Sequence, residues 1–255
     1  MSKMARWLAV LAVLVACLTV PVHAQVIEVT VFGAADLTPA FKELVPKFER
    51  ALGVKVTLVF GSTGMLAKQI EHGAPADLFF AADQSFIDDL VAKGVVIAET
   101  RAPYAQGRLV LATARSAGAK LTDLRQLTDP RIRHVAIANP AHAPYGRAAE
   151  QALRAAGLWE RVQPKLVYGE NIRHTLQFIE AGAAEAGLLA LSLANAPAID
   201  YVLVDRTLHA PLNQSVAVVR RSPRPELGLA FIQFVNGAEG RPIMKRYGFL
   251  LPGEF

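Results

Sequence analysis

The amino-acid sequence predicts an α/β fold in two lobes. Short apolar, β-branched segments alternate with segments of helical periodicity, and this order runs through both halves of the chain. The length of 255 residues exceeds that of one ordinary compact core, so either one large domain or two lobes of about 100 to 130 residues are expected. No Pro- or Ser-rich linker separates the halves, which predicts that short crossings join the lobes.

In the first half, the strands are predicted from β-branched alternation and the helices from recurrent apolar residues. The predicted elements are strand 27–32, helix 39–52, strand 54–60, helix 65–72, strand 77–81, helix 84–93 and strand 108–113. Thr38 is the expected N-cap of the first helix, with Pro39 at its first position. Pro46 lies inside the same helical pattern and should kink it.

The second half has the same order of elements. It is predicted to contain strand 134–138, helix 148–156, strand 165–167, helix 172–181, strand 186–191, strand 215–220 and helices near 225–236 and 238–246. Ligands of open α/β sheets bind at the carboxyl ends of the strands. The turns that follow these strands are therefore the places to look for a site.

The N-terminus has the pattern of an export signal. Lys3 and Arg6 precede the apolar run 7–20, which ends in a Pro-Val-His-Ala segment suited to cleavage after residue 24. We therefore expect residues 1–24 to be a cleaved signal peptide. The segment 14–17 also resembles a bacterial lipoprotein signal, in which Cys17 would carry the lipid, and this alternative stays open.

Removal of this segment lowers the net charge from +5 to +3 and leaves no cysteine. The mature chain would then have no disulfide, thiolate nucleophile or cysteine-ligated metal. The basic clusters at 131–134 and 220–224 have no neighbouring aromatic residues, so we expect a solvated surface and no nucleic-acid partner. The six histidines show no spacing typical of zinc ligands.

Four small or glycine-rich turns lie where strands should end and helices begin, at 33–36, 61–64, 143–146 and 170–172. A helix N-terminus presents unpaired backbone N–H groups and a partial positive charge. Several such termini around one point would hold an oxyanion without a cationic side chain. The sequence therefore predicts a pocket for a small anion.

The chain resembles a known family in three segments: 31–37 (VFGAADL), 73–84 (GAPADLFFAADQ) and 245–249 (KRYGF). They are similar to segments of the periplasmic molybdate-binding proteins of ABC importers, and the similarity spans essentially the whole mature chain. The Ala-Pro-Tyr-Gly segment at 143–146 is similar to one branch of that family.

The resemblance implies a type II periplasmic binding protein, with two mostly parallel sheets flanked by helices and a hinge of two crossings. Lobe I would comprise residues 26–106 and 210–255, and lobe II residues 107–209. The ligand would be molybdate, tungstate or another oxyanion, with no further cofactor. The partner would be the membrane permease of an ABC importer, and we expect a periplasmic monomer without catalytic activity.

The resemblance also implies the site residues. Ser62 would donate its hydroxyl and its N–H, while Tyr145 and Ile172 would donate backbone N–H groups from the second lobe. Ala35 and Asp36 belong to the first turn, where the family carries a serine or asparagine donor. The tyrosine donor of the family's main branch is replaced here by Ala190.

Asp36 leaves the choice of anion open, because an ionised carboxylate only accepts hydrogen bonds and repels an anion by several kcal/mol at contact. Asp36 could be a turn residue whose N–H still faces the cleft. It could instead select a protonated oxyanion such as hydrogenphosphate, a phosphonate or an arsenic oxyanion, or itself be protonated. Some other small organic anion is a further alternative.

Two rival classes stay open. An exported hydrolase would need a base near Ser62, and the sequence offers no evident histidine partner for it. A sensory module could use the same two-lobe architecture, although no DNA-binding or membrane element follows residue 24. Capture of an anion for transport explains the four turns best.

Overall fold

The computed structural model describes residues 27–118 and 120–255 and consists of two five-stranded sheets flanked by helices. The predictions for residues 1–24, including Cys17, lie outside this range. The strands are β1 Glu28–Ala34, β2 Lys55–Gly61, β3 Leu78–Ala81, β4 Ala102–Gly107, β5 Leu109–Ala114, β6 Val135–Ala138, β7 Leu166–Gly169, β8 Ala186–Ala190, β9 Ile199–Leu203 and β10 Leu212–Val218.

Eight α-helices accompany these strands in the described ranges. They are α1 Thr38–Leu52, α2 Thr63–Glu71, α3 Gln84–Ala92, α4 Pro144–Ala155, α5 Trp159–Val162, α6 Ile172–Glu180, α7 Pro225–Asn236 and α8 Gly240–Arg246. None of the helices in 27–118 and 120–255 is long and apolar enough to cross a membrane.

The two sheets have the same strand order. The first sheet is ordered β2-β1-β3-β10-β4 and the second β7-β6-β8-β5-β9. In each sheet the first three strands are parallel, the fourth is antiparallel to both of its neighbours, and the fifth returns to the common direction. We call the first sheet with its helices lobe I and the second lobe II, and the predicted two-lobed α/β fold is confirmed.

The chain passes between the sheets in two places. It leaves β4 at Gly107 and enters β5 at Leu109, and it returns between the end of β9 and the start of β10. β5 and β10 are the strands that run against the others in their sheets. The reversed strand of each sheet is therefore the one that the chain enters on crossing from the other lobe.

Helix α1 shows how the sequence builds the core of lobe I. Its helical spacing places Phe41, Leu44 and Phe48 on one fully buried face. The Phe41 ring packs edge-on against those of Phe80 and Phe231, at centroid distances of 5.0 and 5.7 Å. This packing fixes α1 against the sheet, directly after the first turn of the predicted pocket.

Several predicted boundaries differ from the observed ones. Helix α1 contains Thr38, whose hydroxyl donates to the carbonyl oxygen of Ala35 at 2.8 Å, so the prediction that Thr38 is the N-cap was wrong by one residue. Pro46 lies within α1, as predicted. Helix α4 begins at Pro144, four residues before the predicted start, because proline is favoured at the first helical position.

Two strands were not predicted, β4 and β9, which are the edge strands next to the reversed strand of each sheet. Pro103 lies in β4, and proline is tolerated in edge strands because it removes only one N–H. β9 alternates buried or half-buried residues with exposed ones, and Leu203 is 45% exposed at its end. Neither segment carries the continuous apolar pattern that marked the inner strands.

Candidate functional site

All five residues singled out from the sequence line one small pocket between the lobes: Ala35, Asp36, Ser62, Tyr145 and Ile172. The cavity has a volume of about 10 Å³, which is room for about one water molecule. Each of the five side chains is at most 4% exposed, so the lobes close over this pocket. The other lining residues are Ala34, Gly61, Thr63, Ala82, Ala143 and Pro144.

Three α-helices begin at this pocket. α2 starts after Ser62 and α4 after Ala143, and neither helix has a side-chain hydrogen bond at its N-cap. At α6, the Asn171 side chain accepts from the N–H groups of Arg173 and His174, at 3.0 Å each. The Asn171 side chain does not accept from the N–H of Ile172, so this first-turn donor is available to another acceptor.

The lining therefore offers backbone donors and the positive ends of helix dipoles. None of the lining residues in the described part of the chain is Lys, Arg or His. Across residues 27–118 and 120–255 there is also no group of three His, Cys, Asp or Glu side chains that could hold a metal cation. Chemically, the pocket suits a small anion better than a cation.

Ser62 has a histidine neighbour, although the sequence showed no evident histidine partner for it. The Nδ1 atom of His142 lies 2.7 Å from Ser62 Oγ, across the cleft from lobe II. The same Oγ donates to the carbonyl oxygen of His142 at 2.7 Å. The two residues are 80 positions apart, and no local pattern in the sequence brings them together.

This geometry assigns the protons. A hydroxyl has one hydrogen, and the carbonyl of His142 can only accept, so Ser62 Oγ–H donates to that carbonyl. The ring Nδ1 must then carry a proton and donate to Ser62 Oγ. A general base needs an unprotonated nitrogen at this position, so the observed pair is not poised to activate a nucleophile.

Gly64 brings the two lobes close at the same point. Its N–H donates to the carbonyl oxygen of His142 at 2.9 Å. A Cβ at residue 64 would lie 2.8 Å from that oxygen, so the lobes can approach this closely only with glycine there. Ser62 occupies the N-cap position of α2, yet its hydroxyl contacts the opposite lobe and caps no N–H group of that helix.

The Asp36 carboxyl is completely buried and is held from the hinge side of the pocket. Gln214, on β10, donates from Nε2 to Asp36 Oδ2 at 2.7 Å. The same nitrogen lies 3.4 Å from the hydroxyl of Tyr145. Among the described residues, Asp36 Oδ1 has no hydrogen-bond partner.

Burial raises the pKa of the Asp36 carboxyl from 3.8 to about 6, while its contacts with Gln214 and Tyr145 oppose that rise. Two titratable groups face it. Burial, and then the Asp36 charge, raise the pKa of Tyr104 and of Tyr145 well above the usual value of a tyrosine. Asp36 is therefore the group of the pocket that can change charge near neutral pH.

The hinge packs against this cluster. Gly107, in the first crossing, lies so close that a Cβ there would overlap the Tyr145 hydroxyl and stand 2.8 Å from Gln214 Nε2. In lobe II, the Ser192 hydroxyl donates to the backbone carbonyl of Asp36 at 2.8 Å. Asp36 thus contacts lobe II through its backbone and β10 through its side chain.

Three residues that contact the site were not predicted from the sequence: His142, Gln214 and Ser192. Gln214 and Ser192 are buried polar residues in the structure. Gln214 lies in the polar run 213–215 at the start of β10, before the predicted strand 215–220, so no apolar pattern in the sequence indicated its burial. The structure supplies the polar partner that a buried glutamine requires, the carboxyl of Asp36.

Comparisons with known proteins agree with this architecture. The profile of the family described as bacterial extracellular solute-binding protein matches residues 29–250. The molybdate-binding protein ModA of Azotobacter vinelandii is 35% identical over 233 residues, which cover 89% of this chain and 91% of the relative. The molybdate-binding protein ModA of Escherichia coli K12 is 33% identical, with 88% and 89% covered.

A solved structure gives the same result. The periplasmic molybdate-binding protein of Azotobacter vinelandii superimposes with a TM-score of 0.82 and 28% sequence identity, covering 88% of this chain and 99% of that one. The resemblance inferred from the three sequence segments is confirmed. The chain belongs to the family of bacterial extracellular solute-binding proteins.

Proposed function

We propose that this protein captures a tetrahedral oxyanion of the molybdate or tungstate type and delivers it to an ABC importer. The observation that carries the proposal is the set of helix N-termini around one cavity, two of them without a side-chain cap. Uncapped first-turn amides need an acceptor, and an oxyanion supplies several acceptor oxygens at once.

The roles of the lining residues follow from their positions. Ser62 would donate its hydroxyl and its N–H from lobe I, and Tyr145 and Ile172 would donate N–H groups from the first turns of α4 and α6. Binding would redirect the Ser62 hydroxyl from the His142 carbonyl to the anion, while His142 Nδ1–H continues to donate to Ser62 Oγ. The names of the relatives from Azotobacter and Escherichia favour molybdate as the first ligand to test.

The rest of the proposal concerns transport. The protein acts outside the cytoplasm, exported by a signal peptide cleaved after residue 24 or anchored by a lipid at Cys17. It acts as a monomer without a cofactor, closing lobe I (26–106 with 210–255) onto lobe II (107–209). The closed form docks on the membrane permease and releases the anion there.

A second ligand class is favoured by Asp36. Its Oδ1 is completely buried and unpartnered among the described residues, and it belongs to a residue that lines the pocket. An oxyanion that carries a proton, such as hydrogenphosphate, a phosphonate or an arsenic oxyanion, could donate that proton to Oδ1. Fully deprotonated molybdate would be repelled by the ionised carboxylate.

Titration calorimetry at pH 7.5 with molybdate, tungstate, sulfate, phosphate and a phosphonate separates the two classes, and Asp36→Asn sharpens the result. If the ligand is molybdate, the variant binds it more tightly because a repulsive charge is gone. If the ligand is protonated, the variant binds it more weakly because the carboxylate acceptor is gone. Absence of heat with every oxyanion would contradict the proposed function.

A further inference from the structure

One arginine of lobe II contacts lobe I just outside the pocket. Arg147, in the first turn of α4, donates from Nη2 to Asp83 Oδ2 at 2.8 Å. Its guanidinium carbon also lies 5.1 Å from the centroid of the Phe86 ring, within the range of a cation–π contact. Asp83 and Phe86 belong to the start of α3, so a single side chain makes both contacts across the cleft.

The partner carboxylate is fixed by lobe I alone. Asp83 is the N-cap of α3, and its Oδ1 accepts the N–H of Ser85 at 2.9 Å. This bond leaves Oδ2 for Arg147. The side chains of Arg147 and Asp83 are 41% and 31% exposed, so the pair is partly shielded from water.

Both members of this ion pair lie within two residues, along the chain, of residues that line the pocket. Ala82, which lines the pocket, directly precedes Asp83, and Tyr145, which also lines it, lies two residues before Arg147. Neither member of the ion pair lines the pocket itself. The pair can therefore fix the distance between the end of β3 and the first turn of α4 without touching a ligand.

We propose that Arg147 is a positioning residue, which stabilises the closed arrangement of the lobes and so raises the affinity of the pocket for its oxyanion. This inference rests on the proposed function. The apparent dissociation constant equals the intrinsic one divided by the closed fraction, and a contact made only in the closed form raises that fraction. A partly exposed ion pair with a cation–π contact is weak, so its loss should weaken binding about three- to tenfold.

The same helix supplies a matched control. Arg154 also contacts a carboxylate and an aromatic ring, donating to Glu150 at 2.9 Å with its guanidinium carbon 4.3 Å from the Trp159 centroid. Both of these partners lie in lobe II. Arg147→Gln and Arg154→Gln therefore remove equivalent contacts, one between the lobes and one within a lobe.

The test measures molybdate affinity by titration calorimetry and, by small-angle X-ray scattering, the radius of gyration without ligand. Arg147→Gln should weaken molybdate binding about three- to tenfold and enlarge the ligand-free protein, and Arg154→Gln should do neither. Asp83→Asn keeps an acceptor for the Ser85 N–H and removes only the ion pair, so it should reproduce part of the loss, because the contact of Arg147 with Phe86 remains. Combined with Arg147→Gln, it should add nothing further.

Unchanged affinity in Arg147→Gln, or an equal loss in Arg154→Gln, would overturn the inference. If the wild-type protein binds none of the oxyanions, the proposed function fails and scattering alone tests the contact. In that case, identical radii of gyration for the Arg147 and Arg154 variants would overturn it. A larger radius for Arg147→Gln alone would support a role in closure, without a role in anion capture.

Discussion

Lobe I and lobe II have the same strand order, yet they present different chemical groups to the pocket. Lobe I contributes a hydroxyl and a carboxyl, from Ser62 and Asp36. Lobe II contributes Tyr145 and Ile172, and the aliphatic side chain of Ile172 cannot donate a hydrogen bond. From this difference we expect the side chains of lobe I to control which anion binds. The backbone of lobe II should control whether any anion binds.

The largest effect is expected on the free energy of unfolding, from the buried carboxyl of Asp36 in lobe I. The folded chain holds the Asp36 proton more tightly than the unfolded chain does, because its pKa rises from 3.8 to about 6 on folding. Stability therefore falls as pH rises through this window, and the ionised carboxylate costs about 3 kcal/mol above it. Asp36→Asn should be more stable than the wild type by up to that amount at pH 7.5.

Urea unfolding at pH 4, 5, 6 and 7.5 checks this prediction. The difference in the free energy of unfolding between the variant and the wild type should shrink as pH falls. It should become small at pH 4, where Asp36 is protonated in the folded state. Ser85→Ala, which changes no charge in the same lobe, serves as the control, and its difference from the wild type should not change with pH. If the variant and the wild type differed by the same free energy of unfolding at every pH, the raised pKa of Asp36 would be contradicted.

The second prediction concerns the hydroxyl of lobe I. Ser62→Ala should weaken molybdate binding roughly 30-fold, because a hydrogen bond to a charged acceptor contributes about 2 kcal/mol. Ser85→Ala, an exposed serine in α3 of the same lobe, is the matched control and should bind as the wild type does. Calorimetry that finds equal affinities for the two variants would show that Ser62 does not contact the anion.

The smallest effect on molybdate affinity is expected from removal of the Tyr145 hydroxyl in lobe II. Tyr145→Phe keeps the backbone N–H at the pocket and removes only a hydroxyl that lies beside Gln214 and Asp36. The molybdate affinity should fall by less than about threefold, since a neutral hydrogen bond contributes little. A loss comparable with that of Ser62→Ala would mean that the tyrosine hydroxyl, and not its amide, holds the anion.

Much of the fold could be predicted because its inner strands are continuously apolar and its helices have one apolar face. The burial of all four residues of β6 and the face of α1 follow directly from such patterns. The edge strands β4 and β9 were missed because Pro103 interrupts β4 and exposed residues interrupt the apolar pattern of β9. The other two edge strands, β2 and β7, carry consecutive apolar residues and were predicted. Edge positions constrain the sequence less than inner positions do.

The site was predictable where it depends on turns and unpredictable where it depends on contacts between distant segments. Ser62, Tyr145 and Ile172 lie in turns that follow strands, and the family resemblance assigned these residues to one site. The contacts of Ser62 with His142 and of Asp36 with Gln214 join residues 80 and 178 positions apart. No local spacing encodes pairs of that kind, because the first forms between the two lobes and the second joins distant segments within lobe I.

The most direct test of the account replaces Ile172, at the first position of α6, with proline or alanine. Asn171 before it is extended, with φ −146° and ψ 175°, so proline fits and removes the N–H, whereas alanine keeps it and deletes more side chain. Calorimetry with molybdate should show about a 10- to 100-fold loss for Ile172→Pro and less than about threefold for Ile172→Ala. Equal affinities in the two variants would contradict capture of the anion by backbone amides of lobe II.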